Sequence, residues 1–217
     1  MNVWEELHKE YEGKSWLEKP SIFAEEVAGY FPKHGVLLDL GAGQGQDSIY
    51  FRELGYEVIC SDHEVSIIEL ANDNAKRHFA KKDTVPGAML FQLIDLTKRI
   101  PRGDETANII YAHLSLHYFD AVATSRIFDE IYRVLKPGGI LAFLVNSTSD
   151  PEFGSGEKVE EYLYFIEGKA KRYFDIESTL KFTHQFEALL CDNGGKTYKD
   201  IEKGVHNLIR FVGRKHD

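Results

Sequence analysis

Hydrophobic residues along this chain switch between two periods. Short, mostly apolar runs cover residues 36–40, 56–61, 89–94, 108–112 and 140–145, and each reads as a strand. Between them, apolar residues recur every three or four positions. Residues 47–54 are expected to be helical, with Ile49, Tyr50 and Leu54 apolar and Gly55 as the stop. Residues 65–79 form a second helix, with Val65, Ile68, Ala71, Ala75 and Phe79 on its inner stripe. Residues 121–135 form a third, with Ile127, Ile131, Val134 and Leu135 facing in and Lys136-Pro137-Gly138-Gly139 ending it. A last amphipathic helix is expected over 176–190, closed by Asp192-Asn193-Gly194-Gly195. Residues 196–202 and 207–212 then read as a terminal hairpin around Lys203-Gly204. Alternating strands and helices imply a parallel sheet covered on both faces. The loop-like stretch 147–156 follows the fifth strand, where a long loop predicts function.

The junction after the first strand carries the chemistry. It reads Asp39-Leu40-Gly41-Ala42-Gly43-Gln44-Gly45 and runs into a helix. Glycines let the backbone turn sharply and approach a ligand, and the helix start offers free N–H groups. A dinucleotide site would carry G-x-G-x-x-G, but Gln46 occupies the third glycine's place. Asp39, two residues before the turn, suits a ligand with an ammonium or sulfonium charge better than a pyrophosphate. The segment resembles motif I of the class I S-adenosylmethionine-dependent methyltransferases, D/E-x-G-x-G-x-G, at every position. Residues 108–119 resemble that family's fourth strand and following loop. Residues 136–143 resemble its turn into the fifth strand.

The resemblance implies an α/β fold: a three-layer Rossmann-like sandwich with a seven-stranded, mostly parallel sheet and a C-terminal antiparallel hairpin. It implies one methyltransferase domain over 1–217. Residues 1–34 would be a helical lid segment, 35–146 the cofactor-binding core, and 147–217 the acceptor side and hairpin. S-adenosylmethionine would lie against Asp39, Gly41, Ala42, Gly43, Gln44 and Gly45, with His113 near its methionine part. Asp62 stands 21 positions after Gly41 (62 − 41) and would accept the ribose hydroxyls, beside His63. Asp95 would accept from the adenine amine, beside Leu96. His117 is the candidate proton acceptor. Tyr11, Trp16 and Tyr118 are candidates for the lid or acceptor pocket, and no metal is expected.

Composition narrows the partners. The chain is 43% hydrophobic and 28% charged, as expected of a globular domain, and no apolar run is long enough to cross a bilayer. The acidic N-terminus has no signal-peptide core, and the two cysteines, Cys60 and Cys191, read as reduced thiols. These features predict a cytoplasmic protein without a membrane partner. A net charge of −9 disfavours nucleic acid. The cluster Lys169, Lys171, Arg172 reads as a solvated helix flank. The expected acceptor is therefore a small molecule. The aromatic-rich stretch with Tyr162, Tyr164, Phe165, Tyr173 and Phe174 reads either as a wall for a flat acceptor or as a homodimer face. A nicotinamide-dependent oxidoreductase and a non-catalytic cofactor-binding protein remain alternatives.

Overall fold

Each apolar run becomes a strand of one sheet in the computed structural model, which describes residues 14–80, 82, 87–198 and 207–217. The strands are β1 (Val36–Leu40), β2 (Glu57–Asp62), β3 (Ala88–Leu93), β4 (Ala107–His113), β5 (Leu135–Val145), β9 (Phe186–Gly195) and β10 (Leu208–Lys215). Their order is β3-β2-β1-β4-β5-β10-β9. The first five are parallel, and β10 pairs antiparallel with both β5 and β9. A separate three-stranded antiparallel sheet is formed by β6 (Glu157–Glu160), β7 (Leu163–Ile166) and β8 (Lys169–Arg172).

The described residues also form five α-helices, α1 (Ile22–Val27), α2 (Gln46–Glu53), α3 (Val65–Phe79), α4 (Ala121–Val134) and α5 (Ile176–Phe182), and two short 3-10 turns at Ser15–Glu18 and Ala28–Tyr30. Side chains capture the free N–H groups at three of their starts. Ser21 accepts from the Ala24 amide, Asp120 from that of Ala123, and Asp175 from that of Ser178 in a capping box. Strand alternation splits the core into two layers. Leu38, Leu40, Ile110, Leu141 and Phe143 meet Ile127, Phe128, Ile131 and Val134 of α4. Leu37, Val58, Ile109, Ala142 and Leu144 face Phe23, Ala24 and Val27 of α1 and Phe51 of α2.

Several expectations change. The last helix ends at Phe182, and Phe186–Gly195 is an edge strand rather than a continuation of it. Phe182, Phe186, Leu189 and Leu190 have helical spacing, but β10 supplies a hydrogen-bonding partner that local spacing does not register. The hairpin exists, with β9 as its first arm in place of 196–202; Lys203-Gly204 lies outside the described residues. The buried stripe of α3 is Ile67, Ala71 and Ala75, while Val65 is exposed. The buried face of α2 carries Asp47, Ser48 and Phe51, and Leu54 is exposed. Lys169, Lys171 and Arg172 lie on a strand, not a helix flank, and Arg172 is buried.

Candidate active site

The carboxyl ends of β1 to β4 open onto a cavity of about 730 Å³. That is the usual place for a ligand in a parallel sheet, and a usual size for a small-molecule site (~300–1,000 Å³). Gly41, Ala42, Gly43 and Gln44 line it after β1; Asp62, His63 and Glu64 after β2; Ile94, Asp95, Leu96 and Thr97 after β3; His113, Leu114 and Ser115 after β4. The structure thus brings Asp39, Gly41, Ala42, Gly43, Gln44, Asp62, His63, Asp95, Leu96, His113 and Tyr118 to one hollow.

The turn is built by its glycines. Gly41, Gly43 and Gly45 have φ of 72°, 54° and 81°, a region that L side chains rarely occupy. A methyl group at Gly41 would collide with Ser115, whose Oγ donates to the Leu40 carbonyl. Gly45 does not line the cavity. It precedes α2, and its missing Cβ lets Ala71 of α3 pack close, at 3.2 Å from where that atom would stand.

The acids behave differently from one another. Asp62 Oδ2 accepts the Gly43 N–H at 3.1 Å, and Oδ1 accepts those of His63 and Glu64 at 2.8 and 3.3 Å. Burial opposes its charge, but these bonds and the His63 side chain outweigh it and hold the carboxyl below its usual range. The same contact raises the His63 imidazole. The Thr97 hydroxyl, with Lys98 and the Thr97 amide, brings Asp95 down to about 2. Asp39 is fully buried and accepts from Ser48 Oγ at 2.6 Å. Burial pushes its carboxyl well above the usual range despite that bond, and neighbouring Asp47 and Asp62 push the same way.

Residues 38–143, which contain this turn and all three acids, match a family model described as a methyltransferase domain. Over these residues the chain is similar to the class I S-adenosylmethionine-dependent methyltransferases. It is 27% identical to a malonyl-[acyl-carrier protein] O-methyltransferase of Pectobacterium atrosepticum, over 55% of this chain and 42% of that protein. It is 30% identical to a demethylmenaquinone methyltransferase of Leptospira interrogans, over 53% of this chain and 44% of that one. The matches therefore span less than half the length of these relatives. Its fold is similar to that of the Burkholderia thailandensis 1,6-didemethyltoxoflavin-N1-methyltransferase, solved with 1,6-didemethyltoxoflavin and S-adenosylhomocysteine bound. The TM-score is 0.71 at 17% identity, covering 99% of this chain and 84% of that one.

Part of the methyltransferase cavity was not legible from motifs. Asp47 lines it from the first turn of α2 and joins a buried network. Its Oδ1 accepts the Ser21 N–H at 2.6 Å; its Oδ2 accepts Ser21 Oγ at 2.8 Å and Tyr111 Oη at 2.7 Å. The only sequence signal was a polar residue where the inner face of a helix should be apolar. Leu17, Thr197 and Tyr198 also line the cavity, as do Gly168, Lys169 and Ala170 from the small sheet. The loop 147–156 does not, and neither do Tyr162, Tyr164, Phe165, Tyr173 and Phe174. Tyr173 and Phe174 are buried, and Tyr173 meets Phe153 edge to face at 5.4 Å, so this stretch mainly builds the small layer's own packing. Tyr11 lies outside the described residues, as does the side chain of Trp16.

His117 is not brought to the cavity. It is buried behind Tyr118, its Nδ1 accepting the Asn146 N–H at 3.4 Å and its carbonyl accepting the Arg172 N–H. Burial, with added repulsion from Lys171 and His113, lowers its pKa to about 3. Its folded pKa thus lies below its unfolded value of ~6.5, so the unfolded chain binds the extra proton between those limits. Its contribution to stability is present above pH ~6.5 and falls by up to ~1.4 kcal/mol per pH unit on acidification. Asp39, with a raised pKa, has the opposite slope. The readout is therefore a difference: urea unfolding from pH 7 to pH 5 should cost wild type roughly 2 kcal/mol more than His117→Asn. Parallel pH curves would refute the buried neutral imidazole.

Proposed function

We propose that the cavity binds S-adenosylmethionine and that the protein transfers its methyl group to a small-molecule acceptor. The observation that carries this reading is the pair of ionised carboxylates, Asp62 and Asp95, at consecutive strand ends beside a turn in which Gly41 and Gly43, both at positive φ, line the hollow. The residues present fit the cofactor. Asp62 Oδ2 accepts the Gly43 N–H and keeps a lone pair for a ribose hydroxyl, while Oδ1 is taken by the His63 and Glu64 amides and the His63 ring. Ile94, Leu96 and Leu114 offer apolar surface for a base, with Asp95 as an acceptor at its edge. Gly41 to Gly43 and His113 would hold the methionine part.

When bound, the cofactor supplies an activated methyl on a sulfonium, a good leaving group. The chain's own work is then positioning and exclusion of water. Leu17, Tyr118, Phe119 and Tyr198 add apolar and aromatic surface to the hollow. With His117 away from the cavity, His63 and His113 are the imidazoles among the described residues that line it. A diffusible acceptor in the cytoplasm suits the acidic surface, a net charge of −9, and two unbridged cysteines. Among the described residues no helix is long and apolar enough to cross a membrane.

Calorimetry with S-adenosylhomocysteine tests this reading, and absence of binding at millimolar ligand would remove it. Asp62→Ala should bind roughly 10- to 100-fold more weakly, about 1.4–2.7 kcal/mol, from lost charged hydrogen bonds. Equal affinities for wild type and variant would show that the ribose lies elsewhere.

A further inference from the structure

The cavity is asymmetric in charge. Asp62 and Asp95, both held ionised, follow β2 and β3, on one side of the glycine turn. The opposite side is reached past β4, on the β5 flank. There β8 lies against the loop that follows β4: the Arg172 N–H donates to the His117 carbonyl at 2.7 Å, and Arg172 Nε donates to the Phe119 carbonyl at 2.8 Å. Arg172 is itself buried and ion-paired with Glu160 of β6. The small sheet is thereby fixed to the residues, Tyr118 and Phe119, that line this end.

At the β7–β8 turn, Glu167 and Gly168 both have positive φ, 49° and 79°, a tight turn that sets the first residue of β8. That residue is Lys169. It is half-buried and is the sole lysine or arginine among the described residues lining the cavity. An ammonium carried on a braced strand, lining the same hollow as two carboxylates, Tyr118 and Phe119, is a recognition element for an anion. We infer that Lys169 selects an acceptor carrying a carboxylate group. Resting on the proposed cofactor reading, this places the acceptor's anionic end against β8 and its apolar body against Tyr118 and Phe119. Arg172 is a positioning residue that keeps β8 and the 117–119 loop together.

The test uses the full chain saturated with S-adenosylhomocysteine. A fixed set of aromatic and aliphatic monocarboxylates, benzoate among them, is titrated against the matching carboxamides by ligand-observed NMR. At least one carboxylate should bind ten-fold or more tightly than its amide. In Lys169→Met that preference should vanish while S-adenosylhomocysteine affinity stays within two-fold. A charge-keeping Lys169→Arg should retain part of it. Three results would overturn the inference: no carboxylate preference in wild type, a preference that survives in Lys169→Met, or an equal loss of S-adenosylhomocysteine affinity. The last would assign the lysine to the cofactor's own carboxylate. If wild type binds no S-adenosylhomocysteine, the cofactor reading itself fails, and this inference fails with it; the two failures are told apart by that first titration.

Discussion

Gly41→Ala should remove S-adenosylhomocysteine binding from calorimetric detection and lower stability by about 2–4 kcal/mol. Two separate costs add. The position has φ of 72°, which an L residue occupies at ~1–2 kcal/mol, and the new methyl would press into Ser115 Cβ. Ser115 cannot simply turn away, because its Oγ donates to the Leu40 carbonyl at the end of β1. Relief must come from the turn itself, and moving the turn displaces Gly43, whose N–H bonds Asp62. One methyl therefore spoils both the cradle and the carboxylate. The double variant Gly41→Ala/Ser115→Gly separates the costs. It should recover the steric part and leave the backbone part. Urea denaturation reads stability, and a Gly41→Ala protein with wild-type midpoint and affinity would show that the turn tolerates a side chain.

The same region explains how far sequence reasoning could reach. Strands β1, β2 and β4 were legible because apolar runs and burial agree there: Leu37 and Leu38 face opposite layers, and both are covered. The motif residues converge because consecutive parallel strands end on the same side, a property of topology that a spacing of acids can reveal. Two things were not local. The run 186–191 satisfies a helical period, yet it is a strand, since the open edge of β10 decides it. The small sheet is made of four-residue strands, too short to show a period, and β6 and β8 are dominated by Lys, Arg and Glu. Its role emerges only through Arg172, whose buried guanidinium joins Glu160 and the Phe119 carbonyl and whose backbone N–H donates to the His117 carbonyl. His117 shows the reverse error. A histidine after the fourth strand looks available, but the chain turns it into the interior, where its ring accepts a backbone N–H. Sequence position fixed the loop, while the direction of the side chain depended on β5 and β8.

Asp47→Ala should cost about 3 kcal/mol and loosen the segment that covers the cavity. Asp47 is the common acceptor for three donors: the Ser21 amide, the Ser21 hydroxyl and the Tyr111 hydroxyl. All three groups are buried, and burial itself keeps the Tyr111 phenol far above its usual pKa, so the phenol stays a donor. Without the carboxylate, Ser21 and Tyr111 can still bond each other at 3.2 Å, but the Ser21 amide has lost its acceptor. A stranded buried donor costs ~1–3 kcal/mol, and removal of one partner from a buried charged network ~3–5, which brackets the expected loss. The consequence is directional. Ser21 is the residue that caps α1, through the Ala24 amide, so Asp47 holds the start of α1 against the start of α2. Release should raise hydrogen exchange in Ile22–Val27 before it affects β1, and should weaken S-adenosylhomocysteine binding as Leu17 and Ser21 leave the cavity wall. Asp47→Asn keeps an acceptor oxygen for the Ser21 amide, and the two hydroxyls can rotate to accept from its amide, so it should restore most of the protection. Exchange that rises equally across β1 and α1 in Asp47→Ala would mean a general loss of stability, not a tether between the two helices.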